Sequence, residues 1–253
     1  QIIVDASNPN TGTTESMYLK GIVLQELKSQ STAALMNVQQ YSPNLRLLYN
    51  PRMKSSFNFV PGIMGLVLIL ISAMMTSVSI VREKEVGTME VLLTSPIPPI
   101  YIIIAKMVPY FAISCVNMAT ILILAKFVLG VPLSGSLFLI CLFSLLYIFM
   151  ALGLGLFVST IAESQTVAIL MSAIVFLIPV MMLSGMMFPI ESMPGFFRVL
   201  SNIVPARWFI DAMRKLMIEG LSFKYVQTDF YVLFGMTVFF IGIALKNFKN
   251  RLE

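Results

Sequence analysis

Phe57–Val81, FNFVPGIMGLVLILISAMMTSVSIV, runs without a charged side chain and is broken off by Arg82–Pro99, REKEVGTMEVLLTSPIPP. A bilayer core is about 30 Å thick and takes about 20 apolar residues to cross as a helix. The first stretch is long enough to span, and the charges that follow mark the end of lipid. Outward from it the pattern recurs at Tyr101–Leu129, Leu137–Ile161, Thr166–Phe188 and Tyr225–Leu245. The reading is an all-α polytopic membrane protein with five visible transmembrane helices, occupying residues 57–253.

Composition agrees. Of 253 residues 58% are hydrophobic and 11% charged, against roughly 25% charged in soluble domains. Lys106 and Lys126 lie near the two ends of the second run, where a long side chain reaches the interface, and Lys246, Lys249 and Arg251 close the last. The net charge of +5 is scattered at span edges rather than gathered on one aromatic-bearing face, which argues against nucleic acid as a partner. Cys115 and Cys141 sit inside apolar runs, where a thiol packs as a small hydrophobe. With no histidine in the chain, the HExxH zinc motif and every Ser/His or Cys/His pair are excluded, and neither a catalytic nor a metal site is expected.

Residues 1–56 are a polar preface. Gln1–Val4 reads as a strand end, Asp5–Thr14 as a turn-rich loop and Glu15–Val38 as a helix with Leu19, Ile22, Val23 and Leu27 at helical spacing. This is the C-terminal part of a small α/β domain. Inside the spans, Ala151, Gly155 and Ser159 recur every fourth residue, the spacing that lets a neighbouring helix approach closely. Pro179 should kink the fourth span.

The charged stretch after the first span predicts a short amphipathic helix over 82–95 lying on the membrane. One face carries Glu83, Gly87, Glu90 and Thr94, another Val86, Met89 and Leu93. Pro96, Pro98 and Pro99 end it. A stop signal needs only a few basic residues; an acidic face with a glycine suits docking into a cleft on another protein.

REKEVGTMEVLLTSP resembles the coupling-helix segment of the type-2 ABC exporter permeases. The resemblance assigns ATPase docking to Arg82, Glu83, Glu85, Gly87, Thr88 and Glu90. Leu183–Gly220, LSGMMFPIESMPGFFRVLSNIVPARWFIDAMRKLMIEG, resembles the same family's re-entrant helices, here over 190–220. Ser184, Gly185, Phe188, Pro189, Pro194, Pro205, Arg214 and Gly220 carry that match. Its second half is amphipathic, with Arg207, Asp211, Arg214 and Lys215 on one face and an i,i+4 ion pair expected between Asp211 and Lys215. Ile2–Gly12, IIVDASNPNTG, resembles the family's extracytoplasmic domain, which implies six spans, the first preceding Gln1.

The energy source follows by elimination. The sequence has no GxxxxGK[ST] phosphate loop, and no aspartate or glutamate is expected deep within a span, where ion-coupled carriers keep their ion site. An external motor remains. The resemblance implies an ATP-binding cassette subunit carrying ATP and magnesium, with no cofactor in this chain. It also implies a second permease subunit, identical or paralogous, in a bacterial inner membrane, and a periplasmic adaptor as a further candidate partner. Cargo would be apolar or amphipathic. The rival readings are a non-transporting membrane sensor or scaffold and an ion-coupled secondary transporter.

Overall fold

The computed structural model describes residues 2–5, 9–31, 45–50, 54–88 and 99–250, and the chain divides into two units, residues 1–59 and 60–253.

In the first unit β1 (Ile2–Asp5) and β2 (Leu45–Leu48) pair in parallel, with Ile2 opposite Leu45 and Asp5 opposite Leu48. Parallel strands cannot be joined by a tight turn; α1 (Pro9–Ser31) supplies the crossover. The helix begins inside the stretch expected to be loop. Proline's fixed φ and missing N–H suit the first helical position, so PNTG from Pro9 starts a helix instead of making a turn. Residues 32–38 of the expected helix lie outside the described residues. β2 has no counterpart in the sequence reading, because the four-residue LRLL is too short to display strand alternation. After it, Asn50 receives the Lys54 N–H on its side-chain oxygen at 2.9 Å and donates to the Lys54 carbonyl at 3.0 Å.

The second unit holds the spans. α2 (Ser56–Val86), α3 (Pro99–Phe127) and α4 (Leu137–Ile161) are single helices. The fourth span is α5 (Gln165–Ser172), a π-helical turn at Ala173–Leu177 and α6 (Ile178–Leu183). Pro179 has no N–H to donate, and its ring crowds the carbonyl one turn back. The chain meets this with a widened π turn just before the proline. The span stops at Leu183 rather than Phe188, because Gly185 takes φ +80° and leaves the helix. Short helices α7 (Gly195–Ser201) and α8 (Pro205–Arg214) follow, then a second π turn at Lys215–Glu219 and the long α9 (Phe223–Asn250).

α4 is the axis of the bundle. Over half of its span is buried, 56%, against 11% for α3, and Phe143, Tyr147, Met150, Leu152 and Leu156 are enclosed. Small residues set the close approaches. A Cβ on Gly155 would strike the Ala73 backbone of α2, and one on Gly153 would stand 2.9 Å from Ile241 of α9. Tyr147 stacks on Phe209 of α8 at 4.1 Å and donates its hydroxyl to the Gly65 carbonyl at 3.1 Å. α3 turns Ile104, Val108, Val116, Ile123 and Phe127 outward, an apolar face suited to hydrocarbon.

Candidate functional site: the charged end of the bundle

α2 does not stop where its apolar run stops. It continues through Arg82–Val86 and ends at Gly87, which adopts φ +79°, the left-handed conformation glycine takes past a helix C-terminus. This corrects the expected geometry. Arg82–Val86 are the last turn of the first visible span, not part of a separate helix lying on the membrane. Glu90, with the rest of 89–95, lies outside the described residues.

Three consecutive residues of that last turn grip three different spans. Glu83 pairs with Lys106 of α3 at 2.6 Å. Lys84 donates to the Ser159 carbonyl near the end of α4. Glu85 accepts from the side chain of Gln165, the first residue of α5, at 2.7 Å and from its backbone N–H at 3.3 Å. Thr88, past the glycine, returns its hydroxyl to Glu83 at 2.5 Å. Two apolar clusters sit a turn deeper: Ile80, Ile103, Leu156 and Ala244 join α2, α3, α4 and α9, and Val81, Ala162 and Ala168 join α2 to the α4–α5 corner. Glu83, expected to face outward, thus turns half-buried to the bundle; Glu85 reaches Gln165 while staying exposed, as do Arg82, Val86, Gly87 and Thr88.

Ala151, Gly155 and Ser159 are all buried along α4. Gly155 stands in the tight crossing with α2; Ser159 lies at the charged end, where its carbonyl takes Lys84.

At the opposite end, three prolines start three short helices. Pro189 precedes a 3-10 turn at Ile190–Ser192, Pro194 precedes α7, and Pro205 opens α8, each at a position where a missing N–H goes unmissed. Ser184 caps back to the Val180 carbonyl, and the Gly185 carbonyl receives Arg214 at 3.3 Å. Phe188 helps line a cavity of about 320 Å³ with Ile178, Pro179, Met182, Leu183 and Phe197. Gly220, at φ +67°, closes the second π turn against Ser134.

The same end holds a feature the sequence reading missed. The expected Asp211–Lys215 pair is present at 2.7 Å, and Lys215 also reaches Asp229 of α9 at 2.9 Å. Asp229 is inside the last span and 3% exposed, which corrects the expectation that no carboxylate is buried there. At the start of an apolar run it reads as an interfacial residue; its partner comes from across the Gly220 corner. Burial works against the Lys215 ammonium, but Asp211 and Asp229 outweigh it and hold the group above the usual lysine range.

Comparison with known proteins decides the family. The profile of the ABC-2 family transporter protein matches residues 1–246. The chain belongs to the ABC-2 family. It is 33% identical over 259 aligned residues to a protein of Escherichia coli K12 named "Probable multidrug ABC transporter permease YbhS" and 27% identical over 257 to YbhR of the same strain. The alignments cover 100% and 99% of this chain and 67% and 68% of those relatives. ABC transporter G family member 20 of Dictyostelium discoideum is 28% identical over 86% of the chain and 30% of its own length. With five apolar helices of spanning length among the described residues, this ABC-2 chain is a multi-pass inner-membrane permease subunit of an ABC exporter.

Proposed function

We propose that a separate ATPase subunit, holding ATP and magnesium, docks at the turn of Arg82, Gly87 and Thr88, with Glu90 as a further contact. Its nucleotide-driven movement then shifts α3, α4 and α5 together. The observation that carries this reading is the grip of Glu83, Lys84 and Glu85 on three spans from one helical turn. Such a turn hands a displacement at its exposed tip to the whole bundle. Docking and transmission are therefore divided between neighbours: Arg82, Gly87 and Thr88 meet the partner, half-buried Glu83 meets the spans, and exposed Glu85 stands between the two, bonded to Gln165. Two permease chains, identical or paralogous, would enclose a central pathway that opens alternately to either side of the membrane. Cargo is apolar or amphipathic, in keeping with the multidrug names of the E. coli relatives. The chain itself does no catalysis.

Co-purification with an ATP-binding cassette subunit tests the assignment, and failure to associate in detergent or nanodiscs refutes it. Glu83→Lys tests the division of labour by setting an ammonium against Lys106. The expected result is a complex that still assembles and hydrolyses ATP while export falls about tenfold. Unaltered export would remove Glu83 from the transmission path.

A further inference from the structure

We propose that the Lys215–Asp229 ion pair is a releasable latch between the α8 segment and the last span, with Asp211 as the seat that keeps Lys215 paired when the latch opens. The proposal rests on the permease reading above and adds to it a contact that must break in every transport cycle.

The first ground is that cohesion here does not need an ion pair. Phe209, Ile210, Ala212, Met213, Leu216 and Met217 already bury the inner face of α8 and the π turn. Replacing a buried ion pair by well-packed apolar residues is often neutral or stabilising. An apolar contact in place of Lys215 and Asp229 would hold at least as well; an ion pair is a contact that can be exchanged.

The second ground is the asymmetry of the two carboxylates. Asp229 is 3% exposed and belongs to α9, whereas Asp211 is 41% exposed and lies one turn before Lys215 on the same helix. If α9 moves away, Lys215 keeps an ion pair in solvent reach. Arg207, on the same face, is already engaged by Ser201 and Asn202.

The third ground is where motion is possible. The π turn that begins at Lys215 is pinned: Ser134 donates its N–H to the Met217 carbonyl at 3.0 Å, and Gly135 lies directly against the Leu216 carbonyl. The turn ends at Gly220 with φ +67°, the Leu221 N–H returns to the Lys215 carbonyl at 3.1 Å, and Leu221 and Ser222 alone separate that corner from α9. In this proposal the π turn is the fixed arm of a hairpin and the N-terminal end of α9 the moving arm, its far end staying seated on α4 where Ile241 meets Gly153, and the latch closes between them.

Linking the arms tests this. A disulfide closes only over a narrow range of Cα separations, so Lys215→Cys/Asp229→Cys is joined by a short reducible bis-methanethiosulfonate linker, which tolerates a wider one. The background carries Cys115→Ala and Cys141→Ala, and the whole permease sits with its ATPase subunit in proteoliposomes. Ethidium movement and ATP hydrolysis are read together. Linked protein should lose at least nine-tenths of its ethidium transport and recover it with reductant; transport unchanged by the linker overturns the latch. A parent without linker sites that neither binds the ATPase nor moves ethidium overturns the permease reading itself. Should the double variant fail to accumulate, Asp229→Asn keeps the side-chain volume and leaves Lys215 on Asp211. It should raise ATP hydrolysed per ethidium moved at least threefold. An unchanged ratio in a folded Asp229→Asn protein gives the pair a merely structural role.

Discussion

Gly155→Ala should destabilise this bundle although it adds one methyl group and improves helix propensity. A Cβ at Gly155 would stand 2.8 Å from the Ala73 Cα and 2.9 Å from its carbonyl carbon, closer still to the oxygen. Carbon atoms prefer separations of about 3.5–4.0 Å, so α2 and α4 must part by roughly 1 Å. The obstacle is backbone, which cannot swing aside. Overpacking of this kind costs about 1–3 kcal/mol. Gly242→Ala is the internal control. It lies within α9 with nothing inside 4 Å of its Cβ position, and should gain about 0.5–1 kcal/mol from propensity alone. At roughly 2–4 °C per kcal/mol for a domain of this size, the two variants should differ by about 3–16 °C in a detergent melt followed by size-exclusion fluorescence. A Gly155→Ala protein melting at or above Gly242→Ala would show that the α2–α4 crossing is looser than described.

Tyr147→Phe keeps the ring stack on Phe209 but removes the hydroxyl that reaches the Gly65 carbonyl. The same melt should report a loss of about 0.5–1.5 kcal/mol, with Tyr147→Ala losing about 3–5 kcal/mol. Gly87→Ala meets open space, so its penalty is conformational, about 1–2 kcal/mol for forcing a Cβ into the left-handed region. Gly87→Asn should retain more export than Gly87→Ala at equal expression, and an equal loss in both would show that the turn's conformation is not what matters.

The spans were legible because lipid imposes one requirement, a long run of apolar residues, and five runs meet it. Their ends were less so. Arg82 marks where hydrocarbon stops, but a helix has no reason to stop there, and α2 continues until Gly87 supplies the left-handed turn. Pro179 told where the fourth span would be irregular but not that the irregularity would be a π turn. The acidic residues after the first span were recognisable as important. Their direction was not, because sequence shows a face and not the Lys106 or Gln165 that meets it. Asp229 was missed for the same reason, its partner lying beyond a reversal of the chain.

The charged turn and the apolar clusters beneath it do different work. Lys106 and Glu83 are 34% and 24% exposed, and pairs open to solvent contribute about 0–1 kcal/mol each. Three such grips cannot transmit force by strength. They fix the register of the α2 end against α3, α4 and α5, so that Ile80 stays seated on Ile103 and Leu156, and Val81 on Ala162 and Ala168. Close-packed side chains resist compression and pass on a displacement, and the last span follows because Ala244 shares the first cluster and Gly153 keeps Ile241 hard against α4. Loss of one grip should therefore leave the fold nearly as stable while letting the clusters slip when pushed. Coupling should be more sensitive than melting temperature at Glu83 and Glu85, with the reverse order at Gly155.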